Sequence, residues 1–161
     1  MNPSPVNLNL YQQAIAFFTS CPYGHKIGVT LVETRQRSPV MKVEWREELV
    51  GNPITQVLHG GVITTLIDTA SASSIMAQLN EMRAIATLDM RVDYMTGAKP
   101  HQPLYCIATC YRLAGEIAFT EAICYQEDVN QPIARAMATF MCSEIKDVKL
   151  KRLVNDTEQT S

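Results

Sequence analysis

Between Leu49 and Asn80 the chain carries one Asp, Glu, Lys or Arg, and it is Asp68. Its neighbours are Leu66, Ile67, Thr69 and Ala70. A carboxylate in such surroundings is costly unless it is paired, hydrogen-bonded or protonated. Desolvation would raise its pKa and its nucleophilicity, which is how a fold makes a reactive carboxylate or a general base. The plain alternative places Asp68 on a solvated stripe with Thr64, Ser71 and Gln78, where it does no chemistry. His59-Gly60-Gly61 lies just upstream. Two glycines at a helix start leave free backbone N–H groups at the positive end of the helix dipole, where they hold an oxyanion or polarise a carbonyl. Lacking Cβ, they also let a ligand approach the backbone closely. A Gly-Gly pair alone is equally a turn. Gly60 and Asp68 are separated by ~12 Å along one helix, so they cannot both touch one reacting carbon within a monomer. Two antiparallel copies of the helix would bring Gly60 of one chain to Asp68 of the other. If the pair is catalytic, the expected assembly is a dimer with two composite sites.

The remaining polar residues suggest less. His25, His59 and His101 have no metal-ligand spacing. Ser71, Ser73 and Ser74 follow Asp68 without a G-x-S-x-G elbow and read as small packing residues. There is no P-loop and no G-x-G-x-x-G. No metal or redox cofactor is expected. Arg91, Lys99 and Arg112 are candidate contacts for phosphate groups and equally ordinary surface cations. Thr87 falls on the polar face of its strand, which suits a pocket wall or solvent.

The elements that must position these residues follow from pattern. The 161 residues fit one domain, and 47% hydrophobic content is enough for a core. A net charge of −2 gives no electrostatic case for nucleic acid. The five cysteines form no C-x-x-C pair, and four sit in apolar runs, as small buried hydrophobes of a reducing compartment do. No signal peptide or transmembrane stretch is evident, so the expected location is the cytoplasm. Residues 1–7 read as frayed, and a helix is expected over 8–19, stopped by Cys21-Pro22-Tyr23-Gly24. Strands are expected at 28–37 and 40–46 around a turn at Gln36–Pro39, then a loop over 47–57. A long apolar helix follows within 58–79, so apolar that it must be covered nearly all round. Strands are expected at 83–95, 104–113, 116–125 and 132–145, with Ala114-Gly115 as a hairpin turn, and a polar tail over 146–161. In the first of these, Ala84, Ala86, Leu88, Met90, Val92 and Tyr94 share one face by alternation, against Thr87, Asp89, Arg91 and Asp93. One curved antiparallel sheet wrapped around the long helix satisfies the order. Ala84, Ala86, Ala118, Ala134, Ala136 and Ala138 would face the helix and allow close approach. The fold class is α+β.

The run Leu58-His59-Gly60-Gly61-Val62-Ile63-Thr64-Thr65-Leu66-Ile67-Asp68-Thr69-Ala70 closely resembles the PaaI-like thioesterases of the hotdog superfamily, whose motif is H-G-G with an acidic residue seven positions on. Thr87 to Met95 also looks like the strand that follows the family's helix. The resemblance covers roughly residues 20–145 and is strongest to acyl-CoA thioesterases of the YigI type. It implies a hotdog fold and hydrolysis of an acyl-CoA thioester, in a homodimer or a dimer of dimers. By position, Asp68 would be the nucleophile or the base that activates water, and the Gly60 N–H would polarise the carbonyl. His59 would fix the loop or contact substrate, Thr87 would orient the water or the carboxylate, and Gly61, Arg91 and Lys99 would contact substrate. Many relatives carry Asn six residues before the motif His. Here that position is Pro53, with Asn52 one residue earlier as the substitute. The alternative function is a hotdog module that binds acyl-CoA or an acyl carrier without turnover.

Overall fold

A computed structural model describes residues 8–145. The expectations for 1–7 and for the tail over 146–161 lie outside these residues. The chain begins with α1 (Leu8–Ser20) and α2 (Pro22–Ile27), then β1 (Thr30–Arg35) and β2 (Ser38–Val43). A 3₁₀ turn (Glu47–Leu49) leads into α3 (Gly60–Met76). The strands β3 (Arg83–Tyr94), β4 (Leu104–Ala114), β5 (Ile117–Tyr125) and β6 (Ala134–Glu144) complete it. The six strands form one antiparallel sheet in the order β1-β2-β4-β5-β6-β3. The long helix α3 packs across β2, β4 and β5, and α1 packs on α3. This is the α+β architecture expected from the sequence, a sheet wrapped around a central helix. None of the described helices is long and apolar enough to cross a membrane.

The helix is covered unevenly. From Ala70 to Ala77 every residue is buried, while Gly61, Thr64, Thr65, Asp68 and Thr69 form a half-buried stripe over the first turns. Leu66, Ile67 and Ile75 are fully enclosed. The polar residues are tolerated because their hydroxyls donate back to carbonyls one turn earlier: Thr64 to Gly60, Thr65 to Gly61, Thr69 to Thr65 and Ser73 to Thr69. Ser71, placed by the plain reading on an open stripe, is buried.

Several local expectations are corrected. Cys21-Pro22 ends α1 but also starts α2, because proline at the first helical position gives up only an N–H that has no intrahelical partner. The β1–β2 turn is Gln36-Arg37 alone, with φ of 46° and 73°, and Pro39 is buried inside β2. The β4–β5 turn is shifted by one residue to Gly115-Glu116, since Ala114 still pairs with Ile117 and Gly115 takes the left-handed φ of 61°. The largest correction concerns β3. Thr87 lies opposite Phe140 and Asp89 opposite Thr139, so Leu88 is an extra residue in a β-bulge. The buried face of β6 is Ala134, Ala136, Ala138, Phe140 and Cys142. Their partners are Tyr94, Val92, Met90, Thr87 and Ile85. Thr87 therefore faces the helix with Met90, contrary to simple alternation. Ala84 and Ala86 pair with Ser143 and Met141 on the outer face, so they do not line the helix, whereas Ala118, Ala134, Ala136 and Ala138 are buried in the core.

Candidate active site

The motif helix begins at a histidine cap. His59 has extended backbone (φ −62°, ψ 137°), and its ring Nδ1 accepts from the Gly61 N–H at 2.9 Å. The ring does what Ser, Thr, Asp or Asn usually does at this position. An accepting Nδ1 is unprotonated, so in this arrangement the ring of a neutral His59 carries its proton on Nε2. His59 is held from behind by the preceding loop. Its N–H donates to the Leu49 carbonyl at 2.9 Å, and the Gly51 N–H donates to the Val57 carbonyl at 2.9 Å. A Cβ on Gly51 would sit 2.6 Å from the His59 Cα. Gly51 is thus a site-supporting residue, and in the sequence its only signal was an unremarked glycine in a loop.

Gly60 is the first residue of α3, and its N–H has no acceptor among the described residues. The Gly60–Gly61 peptide is pinned at both ends. Its N–H is taken by His59, and its C=O accepts from the Tyr94 hydroxyl at 3.1 Å and the Thr64 hydroxyl at 3.1 Å. The Tyr94 and Thr64 hydroxyl oxygens are themselves 2.7 Å apart. Tyr94 was placed on the helix-facing side of its strand, but its bond to the glycine turn depends on β3 running back along α3.

Two turns further, Asp68 is half-buried, and its Oδ1 accepts a 2.6 Å hydrogen bond from the Thr87 hydroxyl. The carboxylate is therefore hydrogen-bonded at the edge of the core instead of stranded within it. Its other oxygen has no hydrogen-bond partner among the described residues. The β3 bulge is what makes the contact, because it turns Thr87 toward the helix. Asp68 and Thr87 lie in the wall of a cavity of about 530 Å³, lined otherwise by α1 and α2, the half-buried stripe of α3, and Ile85, Met90 and Phe140. Asp68 and Gly60 share α3, so one chain does not bring them to a common point.

The outlying candidates are elsewhere. Asn52 Oδ1 accepts from the N–H groups of Ile54 and Thr55, so this oxygen closes its own turn. Arg91 is an exposed cation paired with Asp93 at 3.0 Å, opposite Met137 on the outer sheet face. Lys99 pairs with Glu127 at 3.2 Å. Lys99 and Gln102 together hold the Glu127 carboxyl below its ordinary value. None of these three lines the Asp68 cavity. Among the described residues no group of three or more His, Cys, Asp or Glu side chains is placed to hold a metal ion.

The family model of the thioesterase superfamily matches residues 55–133. A medium/long-chain acyl-CoA thioesterase of Salmonella typhimurium, YigI, is 24% identical over 138 residues, spanning 78% of this chain and 88% of that protein. A crystal structure of a Pseudomonas aeruginosa protein is 35% identical and superposes with a TM-score of 0.74, covering 82% of this chain and 98% of that one. The E. coli PaaI protein, from the phenylacetic acid degradation operon, is 14% identical but shares the fold at a TM-score of 0.73, over 85% of this chain and 95% of its own. The matched segment holds α3, its glycine start and Asp68, on a sheet wrapped in the PaaI manner, and the chain accordingly belongs to the thioesterase superfamily as a PaaI-like hotdog protein.

Proposed function

We propose that the chain hydrolyses acyl-CoA thioesters to a free acid and CoA. The observation that carries this reading is the Asp68–Thr87 pair, a hydrogen-bonded carboxylate in the wall of a mostly apolar cavity. Membership of the thioesterase superfamily and the likeness to an acyl-CoA thioesterase support it. Asp68 acts in one of two ways. As a general base it takes a proton from water as the water oxygen attacks the carbonyl carbon. As a nucleophile it forms a mixed anhydride that water then opens. In both, the C–S bond breaks and CoA leaves as the thiol after gaining a proton. Thr87 holds the carboxylate in one orientation, so less reorganisation is needed at the reacting moment.

The Gly60 N–H supplies the polarising donor. Because Gly60 and Asp68 lie on one helix, the donor opposite each Asp68 comes from a second subunit, and the working unit is a homodimer or a dimer of dimers with composite sites. His59 keeps the glycine turn in register, and Gly61 contributes by leaving room for the His59 ring, which a Cβ there would meet at 2.9 Å. Asn52, Arg91 and Lys99 contribute at most to the surface path of the CoA head, since none reaches the cavity.

The test is release of free CoA thiol from a panel of acyl-CoAs by wild type and Asp68→Asn. The variant keeps size and hydrogen-bonding capacity but removes the charge. Turnover should fall by a factor on the order of 10³ while the assembly state is unchanged. Full activity in Asp68→Asn would refute the mechanism. Tight acyl-CoA binding by wild type without thiol release would favour a binding module.

A further inference from the structure

The cavity that holds Asp68 has a wall that the motif does not supply. It follows α3 from Thr65 past Asp68 to Ala72, ~10 Å of helix. Across from this stripe stand Phe17 and Phe18 at the end of α1, their rings 5.8 Å apart edge to face. Phe140 closes the inner end at 1% exposure. Asp68 is the only carboxylate or cation in the lining. The hydroxyl hydrogens of Thr65 and Thr69 are spent on helix carbonyls, so most of the wall offers apolar contact. Phe17 is 50% exposed although it borders the cavity. A ring in that position has apolar surface that its own chain leaves uncovered.

Resting on the thioesterase reading above, we infer that Phe17 and Phe18 of α1 form the specificity-determining wall for the acyl group, and that Ala72 sets the depth of this chamber. Ala72 lies one turn beyond Asp68 on the same helical face, so a chain whose carbonyl is at Asp68 runs toward it. A two-carbon acyl group would reach neither Ala72 nor the phenylalanines. Each further methylene buried there strengthens binding about fourfold. A volume of about 530 Å³ falls within the range of small-molecule sites.

The experiment measures kcat/KM for acetyl-, octanoyl- and palmitoyl-CoA in wild type, Phe17→Ala, Phe18→Ala and Ala72→Leu. The readout is the octanoyl-to-acetyl ratio. In Phe17→Ala and Phe18→Ala this ratio should drop roughly tenfold, chiefly through KM. In Ala72→Leu it should drop further, with palmitoyl-CoA affected most. Ala72 is buried, so if that variant does not fold the half-exposed Phe17 carries the test. An unchanged ratio in both phenylalanine variants, or equal losses at every chain length, overturns the assignment. If wild type releases no thiol from any of the three, the thioesterase reading fails and the chamber is judged by calorimetric binding of a non-hydrolysable octanoyl-CoA thioether. Binding that weakens about tenfold in Phe17→Ala supports the chamber, and no binding to wild type overturns it.

Discussion

Gly60→Pro removes the N–H of chemical interest and sets a proline ring carbon where its hydrogen was. Proline at the first position of a helix forfeits only an N–H that has no intrahelical acceptor. The residue before it must be extended, and His59 already is, at φ −62° and ψ 137°. A Cβ at Gly60 meets the Tyr94 ring and hydroxyl at 3.5–3.6 Å, ordinary contact. The fold should therefore tolerate the change, with thermal stability within about 1 kcal/mol of wild type. If the Gly60 N–H stabilises the developing oxyanion, its loss costs on the order of 10²–10³ in kcat, or roughly 3–4 kcal/mol. Thiol release measures the first quantity and thermal unfolding the second. The composite-site geometry adds a sharper consequence. Mixing inactive Gly60→Pro with inactive Asp68→Asn, under conditions of subunit exchange, creates heterodimers in which one site has both native groups. Activity should return to about one quarter of wild type, since about half the dimers are mixed and each holds one intact site. Full activity in Gly60→Pro, or no recovery on mixing when exchange is demonstrated, would refute the reasoning.

Other substitutions probe the supports. Thr87→Val keeps the branched shape but deletes the donor to Asp68 Oδ1. It should lower kcat about tenfold with KM nearly constant, at the lower end for a hydrogen bond to a charged group because Thr87 is exposed. Thr87→Ser should recover most of the loss, and an unchanged kcat in the valine variant would show that the bond is idle. Gly51→Ala forces a Cβ to within 2.6 Å of the His59 Cα, a backbone atom that cannot swing aside. The loop must part from the motif, at about 2–3 kcal/mol by the measure of overpacked sites, which lowers the melting temperature by roughly 4–10 °C; an unaltered melting curve would contradict the contact. Burial pushes the Cys110 thiol from its ordinary 9.0 up to about 11 and also raises Tyr11 and Cys142. The folded chain binds these protons more tightly than the unfolded one. Their contribution is complete below about pH 9 and is lost as pH rises toward about 11. Urea midpoints should fall across that window and fall less in Cys110→Ala; identical slopes would count against the assignment.

Much of the site was legible because its signals are local. A single carboxylate between Leu49 and Asn80, a Gly-Gly pair eight residues before it and unbroken apolar helical spacing identified α3 and its two points of interest without any contact information. Thr87 entered as a candidate through family resemblance, while alternation placed it on the wrong face. The error arose at Leu88, because a bulge depends on which residues β6 sets opposite β3. Gly51 and Tyr94 were passed over for a related reason. One is special only because His59 folds against it, and the other only because the end of β3 lies over the start of α3. Asn52 was offered as a substitute for a missing family residue, but its oxygen is claimed by the turn that Pro53 helps make.

What the sequence by itself determined was the set of elements apart from α2, the apolar helix with a glycine start, and the lone Asp68. These rest on periodicity, composition and the backbone preferences of glycine, all properties of neighbours along the chain. The tertiary structure decided that Thr87 donates to Asp68, that the His59 ring caps the motif helix, and that α1 with its two phenylalanines walls the cavity beside the carboxylate. Each of these joins residues distant in sequence, where packing and strand register, which no local pattern encodes, choose the partner.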